Sequence, residues 1–360
     1  MSNQRLVIRR PDDWHLHLRD GAMLAAVLPG TARTFARAVV MPNLSPPVVT
    51  VEDAAAYRER IARASEGSAG FSPLMTLYLT DATDPEEIKA GVSTGLIFAC
   101  KLYPQNATTN AERGVTDVSR ITAVLARMED LGVPLLIHGE VTDPDVDVFD
   151  REAVFIDRVL APLIKDFPGL RVVLEHITTA EAVDFVKDGP ERLGATITPH
   201  HLMVERNDML GSGIRPHLFC LPVVKRARHR GALRRIAVSG HPRFFLGTDS
   251  APHAIADKQA ICGCAGIFNA PVAMAAYATV FERLGALDRL ENFAARFGAE
   301  FYGLPVNAET LILERDSWEV PETIDVAGGG ANGRVRLFLA GETIEWRVAG
   351  IGPPNGGPVS

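Results

Sequence analysis

Eight short apolar runs recur along the 360-residue chain, and a helical pattern follows each of them. The runs span residues 13–18, 37–41, 74–80, 97–103, 134–139, 171–177, 195–198 and 243–248. Most are near-continuous in apolar residues, which is the pattern of parallel strands covered on both faces. The intervening segments carry helix punctuation. Residues 53–64 are rich in Ala and Arg, and Asp84-Pro85-Glu86-Glu87 places an N-cap before a proline and an acidic first turn. In residues 117–131, Val118, Ile121, Val124, Leu125 and Met128 share one face, and Gly132 ends the helix. Residues 151–166 and 179–187 repeat the theme. Eight strand–helix units predict a closed α/β (β/α)₈ TIM barrel rather than an open sheet, since such a barrel takes about 250 residues.

The seventh unit departs from the pattern. Residues 201–225, with Gly211-Ser212-Gly213 inside them, read as a long insertion after strand 7. We expect one domain over residues 1–348, including a C-terminal extension, and a flexible Gly-, Pro- and Asn-rich tail over 349–360.

Charge and composition narrow the function classes. With 37 Lys plus Arg against 44 Asp plus Glu, the net charge of −7 speaks against nucleic acid or an anionic membrane as partner. No apolar run approaches the ~18 residues a membrane span requires. The N-terminal run Leu6 to Ile8 is too short for a signal peptide. The four cysteines (Cys100, Cys220, Cys262, Cys264) are irregularly spaced, and Cys262-x-Cys264 has no second pair to complete a zinc site. Reduced thiols and a cytoplasmic location are expected.

Barrel enzymes carry their chemistry at the C-terminal ends of the strands. Here His15 and His17 sit two apart on the first strand, so alternation points both to one face, the lumen, and turns Trp14 and Leu16 away. His138 ends the fifth run, His176 the sixth and Asp249 the eighth. Four imidazoles and a carboxylate suit zinc or a similar divalent ion. Each alone has a plainer reading: a packed core histidine, or for Asp249 a helix cap. Their joint placement at strand ends favours ligation. His200, His201, His217, His229 and His241 lack that placement and read as surface or structural. Lys101 interrupts the apolar fourth run, and an unpaired buried ammonium is costly. Burial can strip its proton, and a neutral amine reacts with CO₂ to give a carbamate that could bridge two metals. A salt-bridged Lys101 is the alternative.

The stretch Arg9-Arg10-Pro11-Asp12-Asp13-Trp14-His15-Leu16-His17-Leu18-Arg19-Asp20-Gly21 resembles the N-terminal signature of the dihydroorotases. Further matches are Val40-Met41-Pro42-Asn43-Leu44, Lys101-Leu102-Tyr103-Pro104, Ile137-His138-Gly139-Glu140, Glu175-His176-Ile177-Thr178-Thr179 and Leu246-Gly247-Thr248-Asp249-Ser250-Ala251-Pro252-His253. The resemblance covers residues 9–348 and points to the bacterial single-function class of the amidohydrolase superfamily. It implies a metal-dependent hydrolase barrel with two zinc ions. His15, His17 and Asp249 would hold one, and His138 and His176 the other, with carboxylated Lys101 and a hydroxide bridging them. The implied reaction is reversible closure of N-carbamoyl-L-aspartate to (S)-dihydroorotate plus water in pyrimidine biosynthesis, often by a homodimer.

The resemblance also implies residue roles. Asp249 would carry the proton between the attacking water and the ring nitrogen. Arg19, Asn43 and His253 would bind the substrate carboxylate, although Arg19 could instead pair with Asp20 and Asn43 could cap a turn. Thr108 and Thr109, in the small polar loop 105–110, would touch the substrate as that loop closes; a plain mobile loop is the alternative. His138 and the backbone at Leu221 and Ala265 are further implied substrate contacts. Two rival functions are a hydantoinase-like activity on neutral cyclic amides and a non-catalytic scaffold for a transcarbamoylase. The carboxylate binders speak against the first and the complete ligand set against the second.

Overall fold

The computed structural model describes residues 4–66, 70–261, 263–328 and 333–354. Strand β1 (Arg5–Arg9) comes first. The eight runs then become β2 (Asp13–Leu16), β3 (Arg37–Val40), β4 (Ser72–Tyr78), β5 (Ile97–Leu102), β6 (Leu135–Ile137), β7 (Val172–Leu174), β8 (Leu193–Ile197) and β9 (Phe244–Leu246). They pair in parallel in chain order. Leu16 bridges Ser250 in parallel, His17 N–H donates to the Ser250 carbonyl at 3.0 Å, and Asp249 N–H to that of His15 at 2.9 Å. These contacts bring the last strand to the first, as the expected (β/α)₈ barrel requires.

The signals at Asp84 and Gly132 act where they were read, and the second helix begins two residues before the expected position 53. Thr50 and Asp53 form a reciprocal capping box that starts the helix Val51–Ala64. Asp84 caps Pro85–Ser93, and Gly132, at φ 69°, closes Thr122–Leu131 in the left-handed conformation glycine tolerates. The segment 151–166 is helical throughout but widens to a π-turn over Ile156–Leu160. The insertion after β8 contains two short helices, Pro199–Met203 and Arg206–Leu210, before the longer Ala227–Ala237.

Alternation along the strands sorts the core into two layers. Leu135, Ile137, Val172, Leu174, Phe244 and Leu246 face outward and pack under the helices. Val39, Ala99, Leu136, Val173 and Phe245 face inward and meet Ala299 and Tyr302 of the C-terminal helix Phe297–Tyr302, which plugs the lower end of the lumen. Gly298 lets that helix approach: a Cβ there would sit 1.9 Å from the Trp14 indole nitrogen.

The expected C-terminal extension is present, but it runs further than the expected tail boundary allows. Strand β10 (Thr310–Glu319) pairs antiparallel with β1 and with the last strand, while β11 (Thr323–Asp325) pairs with β12 (Arg334–Arg336). The last strand, β13 (Thr343–Gly352), runs through the expected boundary at 348, with Ile351 opposite Leu311 and Gly352 opposite Thr310. The backbone of β10 offers a ladder that local composition does not announce, so residues 349–352 are strand rather than tail. Residues 355–360 of the expected tail lie outside the described residues. The run Leu6 to Ile8 belongs to β1. Buried Arg10 ties this sheet to the barrel: it donates to the Ala32 and Phe35 carbonyls and pairs with Glu309 at 2.7 Å. Among the described residues no helix is long and apolar enough to cross a membrane.

Candidate active site

The top of the lumen carries the expected ligands, and a bulge puts His15 among them. Asp13 pairs with Ala38 but Leu16 with Val40, so three steps of β2 oppose two of β3. Strict alternation would turn Trp14 away from the face of His15. Instead Trp14 packs into the lumen floor, 4.7 Å from the Tyr302 ring, and His15 sits among the polar residues at the top. The expectation that Trp14 avoids the lumen is therefore corrected.

His15 Nε2 and His17 Nε2 lie 3.4 and 3.1 Å from Asp249 Oδ1, and one ligand atom from each of the three falls within 4.8 Å of the others. The His176 ring stands between those of His15 and His138, 4.8 and 4.9 Å away. Lys101 is fully buried, its Nζ 5.0 Å from the Tyr103 ring centroid. Among the described residues that Nζ has no hydrogen-bond or ion-pair partner, so the salt-bridged alternative is not met. Burial lowers its pKa to about 8, against the pull of nearby Glu175 and Asp249. His15 and His176 are pushed far below the usual imidazole range, first by burial and then by neighbouring cationic groups. Neutral imidazoles and an amine that sheds its proton easily are the forms that ligate metal or take up CO₂. His15 Nε2 and His176 Nδ1 are likewise buried without a hydrogen bond. Converging orphaned donors of this kind fit a metal centre, because packing alone would leave each of them desolvated at a cost.

Three of the four rings are held from behind. Glu175 Oε2 contacts His15 Nδ1 at 2.8 Å and accepts from Thr196 Oγ1 at 2.6 Å. Asn43 Oδ1 contacts His17 Nδ1 at 2.9 Å, and Glu140 Oε2 contacts His138 Nε2 at 2.8 Å. Such contacts fix the ring and leave its other nitrogen for a metal. Asp13 accepts from Thr248 N–H at 2.8 Å and Oγ1 at 2.5 Å, next to Asp249. Arg19, His176 and Asp249 hold left-handed φ angles of 58°, 41° and 44°, a cost concentrated at this site. Glu175, Glu140, Asp13 and Thr196 were missed as site residues. Glu175 lies two past Val173 and Glu140 two past His138, so alternation was the available signal.

A small cleft above the ligands, with about 20 Å³ of free space, is lined by Arg19, Asn43, Thr108, Thr109, Leu221 and Ala265. His138 lines it too, as does Tyr103, which was not anticipated and whose buried hydroxyl has no partner. The 105–110 loop lies across the cleft. Asn43 Nδ2 donates to the Thr109 carbonyl at 3.0 Å, and Thr109 Oγ1 to that of Ala265 at 3.4 Å. Arg19 does not pair with Asp20, which caps Gly21 N–H and binds Arg60. Its guanidinium instead reaches the Pro252 carbonyl at 3.1 Å and His253 Nε2 at 2.9 Å. That nitrogen is also 3.0 Å from the Ala265 carbonyl. Burial, reinforced by the Arg19 charge, pushes His253 down to about 2. A far larger groove of about 750 Å³ lies on the flank between the helices after β5 and β6 and holds none of the expected ligands.

The remaining histidines keep structural roles where the geometry is clear. His201 contacts Thr198 Oγ1 and the Pro222 carbonyl, and His200 contacts the Asn269 amide. With Cys220 they form a second buried group of possible ligand atoms, but both His201 nitrogens are already engaged. Cys262 lies outside the described residues.

A barrel with a lumen-top His, Lys and Asp set defines a class, and sequence comparison agrees. The amidohydrolase family matches residues 8–311. The dihydroorotase of Sphingopyxis alaskensis is 60% identical over 344 residues, covering 96% of this chain and 99% of its own. The crystal structure of Campylobacter jejuni dihydroorotase superposes with a TM-score of 0.88 at 37% identity, covering 97% and 98% of the two chains. The Saccharomyces cerevisiae dihydroorotase, solved in complex with 5-fluoroorotic acid, gives 0.88 at 31% identity over 97% and 99%. The chain belongs to the amidohydrolase family and, within it, to the dihydroorotases.

Proposed function

We propose that the chain interconverts N-carbamoyl-L-aspartate and (S)-dihydroorotate plus water at this lumen-top site, within pyrimidine biosynthesis. The observation that carries the reading is the convergence beside Asp249 of Lys101 Nζ, His15 Nε2 and His176 Nδ1, all buried and without a hydrogen bond. This donor set fits two zinc ions. His15, His17 and Asp249 would hold one and His138 and His176 the other, with carboxylated Lys101 between them. Bound there, the metals would lower the pKa of a shared water and polarise the scissile carbonyl.

The chain's own groups do the rest. Asp249 takes a proton at its carboxylate and returns it to the ring nitrogen in the hydrolytic direction. In the biosynthetic direction the same carboxylate removes a proton from the carbamoyl nitrogen. Arg19 presents a guanidinium at the cleft, and with Asn43 and neutral His253 it binds the substrate's free carboxylate. His138 and the backbone at Leu221 and Ala265 face the ring. Thr108 and Thr109 come down with their loop and exclude water. A cytoplasmic homodimer is the setting we propose.

The discriminating experiment compares hydrolysis of dihydroorotate with that of a neutral cyclic amide such as hydantoin. A strong preference for dihydroorotate that shrinks in Arg19→Met supports the reading. Equal turnover of both would favour a hydantoinase-like activity, and turnover of neither a scaffold role.

A further inference from the structure

Lys258 is a buried lysine that the site described above does not use. It ends the four-residue helix Ile255–Lys258 that follows His253, and it is only 4% exposed. An ammonium has three N–H donors. Here all three are taken: Nζ donates to the carbonyls of Phe219 at 2.6 Å, Cys264 at 2.8 Å and Gly266 at 2.8 Å. No carboxylate among the described residues pairs with it. Burial lowers its pKa to about 8. A charge desolvated in this way needs every donor satisfied, so the three carbonyls must converge on it.

The acceptors belong to two separate loops. Phe219 lies in the insertion after β8, two residues before Leu221; Cys264 and Gly266 flank Ala265 in the segment after β9. Gly266 N–H also donates to the Phe219 carbonyl at 3.0 Å, so the loops are joined edge to edge. Carbonyls 264 and 266 turn toward Lys258, while carbonyl 265 turns the other way. There it accepts from Thr109 Oγ1 of the covering loop and lies against His253 Nε2. Gly266 makes the turn possible at φ 150°, where a Cβ would fall 2.7 Å from the Ala251 carbonyl. The ammonium is thus the common peg behind the cleft wall that carries Leu221 and Ala265.

We infer that Lys258 is a positioning residue that sets the Leu221 and Ala265 backbone in the cleft and thereby fixes how tightly the cleft grips its ring substrate. The inference rests on the dihydroorotase reading. Lys258 touches neither the metal ligands nor the carboxylate-binding guanidinium, so its loss acts on binding and leaves the chemical step alone. A group that supports ground and transition states equally changes KM and not kcat.

The test uses the full chain loaded with metal. Lys258→Met and Lys258→Gln are compared with wild type for KM and kcat on dihydroorotate, metal content and thermal melting. A KM raised about tenfold or more in either folded variant, with kcat within about threefold and metal content unchanged, is the expected result. In combination with Thr109→Val the KM effects should fall short of additive, because both groups act through the Ala265 carbonyl. Unchanged KM in every folded variant overturns the proposal. So does a fall in kcat and metal content at constant KM, or failure of both variants to fold, since either makes Lys258 a general structural residue. A wild-type protein inactive on dihydroorotate would instead remove the underlying reading.

Discussion

The two ends of the barrel lumen are built from the same strands and do opposite work. On β5 the inward residue is Ala99 at the floor and Lys101 two positions higher; on β6 it is Leu136 and then His138; on β7, Val173 and then Glu175. The floor is apolar and closed by Trp14, Phe245 and Tyr302. The top is a ring of titratable groups, several of them buried without partners. Two residues along a strand, roughly 7 Å, separate a core from a reaction site. The floor closes the lower end of the lumen, and burial at the top holds His15 and His176 well below the usual imidazole range and brings Lys101 down to about 8.

The sharpest way to break this contrast is to remove the unpaired group at the top. Lys101→Ala should lose bound metal and essentially all dihydroorotate turnover, with partial recovery when a short carboxylic acid is added. A metal-replete, active Lys101→Ala protein would remove the bridging role. Asp249→Asn comes next, with a fall in kcat of about 10²–10⁴, the range for a lost general acid–base group. Parallel pH profiles for mutant and wild type at equal rates would argue against it.

The floor should respond in the other currency. Leu136→Ala is expected to cost about 2–5 kcal/mol of stability, read by denaturant unfolding, while kcat per bound metal stays near wild type. Loss of kcat without loss of stability would show that the two ends are not separable. A subtler probe is the loop. Thr108→Ala with Thr109→Ala should cut turnover about tenfold or more with metal content unchanged, since closure excludes water and commits substrate. Unaltered turnover would reduce residues 105–110 to a covering strap. Behind the ligands the effect falls on affinity rather than turnover: Glu140→Gln should weaken metal affinity by about 10- to 100-fold, measured by competition with a chelator, while leaving the fold intact.

How far the sequence could be read differs between the same two layers. Strands and helix caps follow from local chemistry, so Asp84 and Gly132 mark their helices correctly, and His15, His17 and Asp249, read at strand ends, come together at the top of the lumen. The bulge in β2 was not legible, because an extra residue in one strand is defined only against its neighbour, and so Trp14 was placed on the wrong face. The β1–β10–β13 sheet joins segments some 300 residues apart, and Gly- and Pro-rich composition near residue 349 masked its last strand. Glu140 stood two residues from its histidine, His138, yet that pairing shows only once the ring's orientation is known, and Glu175 sits next to His176 but serves His15 from 160 residues away. Lys258 shows the limit most clearly: its three acceptors are neutral main-chain carbonyls, which leave no trace in residue identity.

The central claim is that the polar end of the lumen is a two-metal site acting on dihydroorotate. Its most direct test is hydrolysis of dihydroorotate at alkaline pH by protein whose bound metal has been counted, before and after chelation. The account predicts two ions per chain, activity lost in step with their removal, and recovery on adding zinc. Full activity in protein stripped of metal would contradict it.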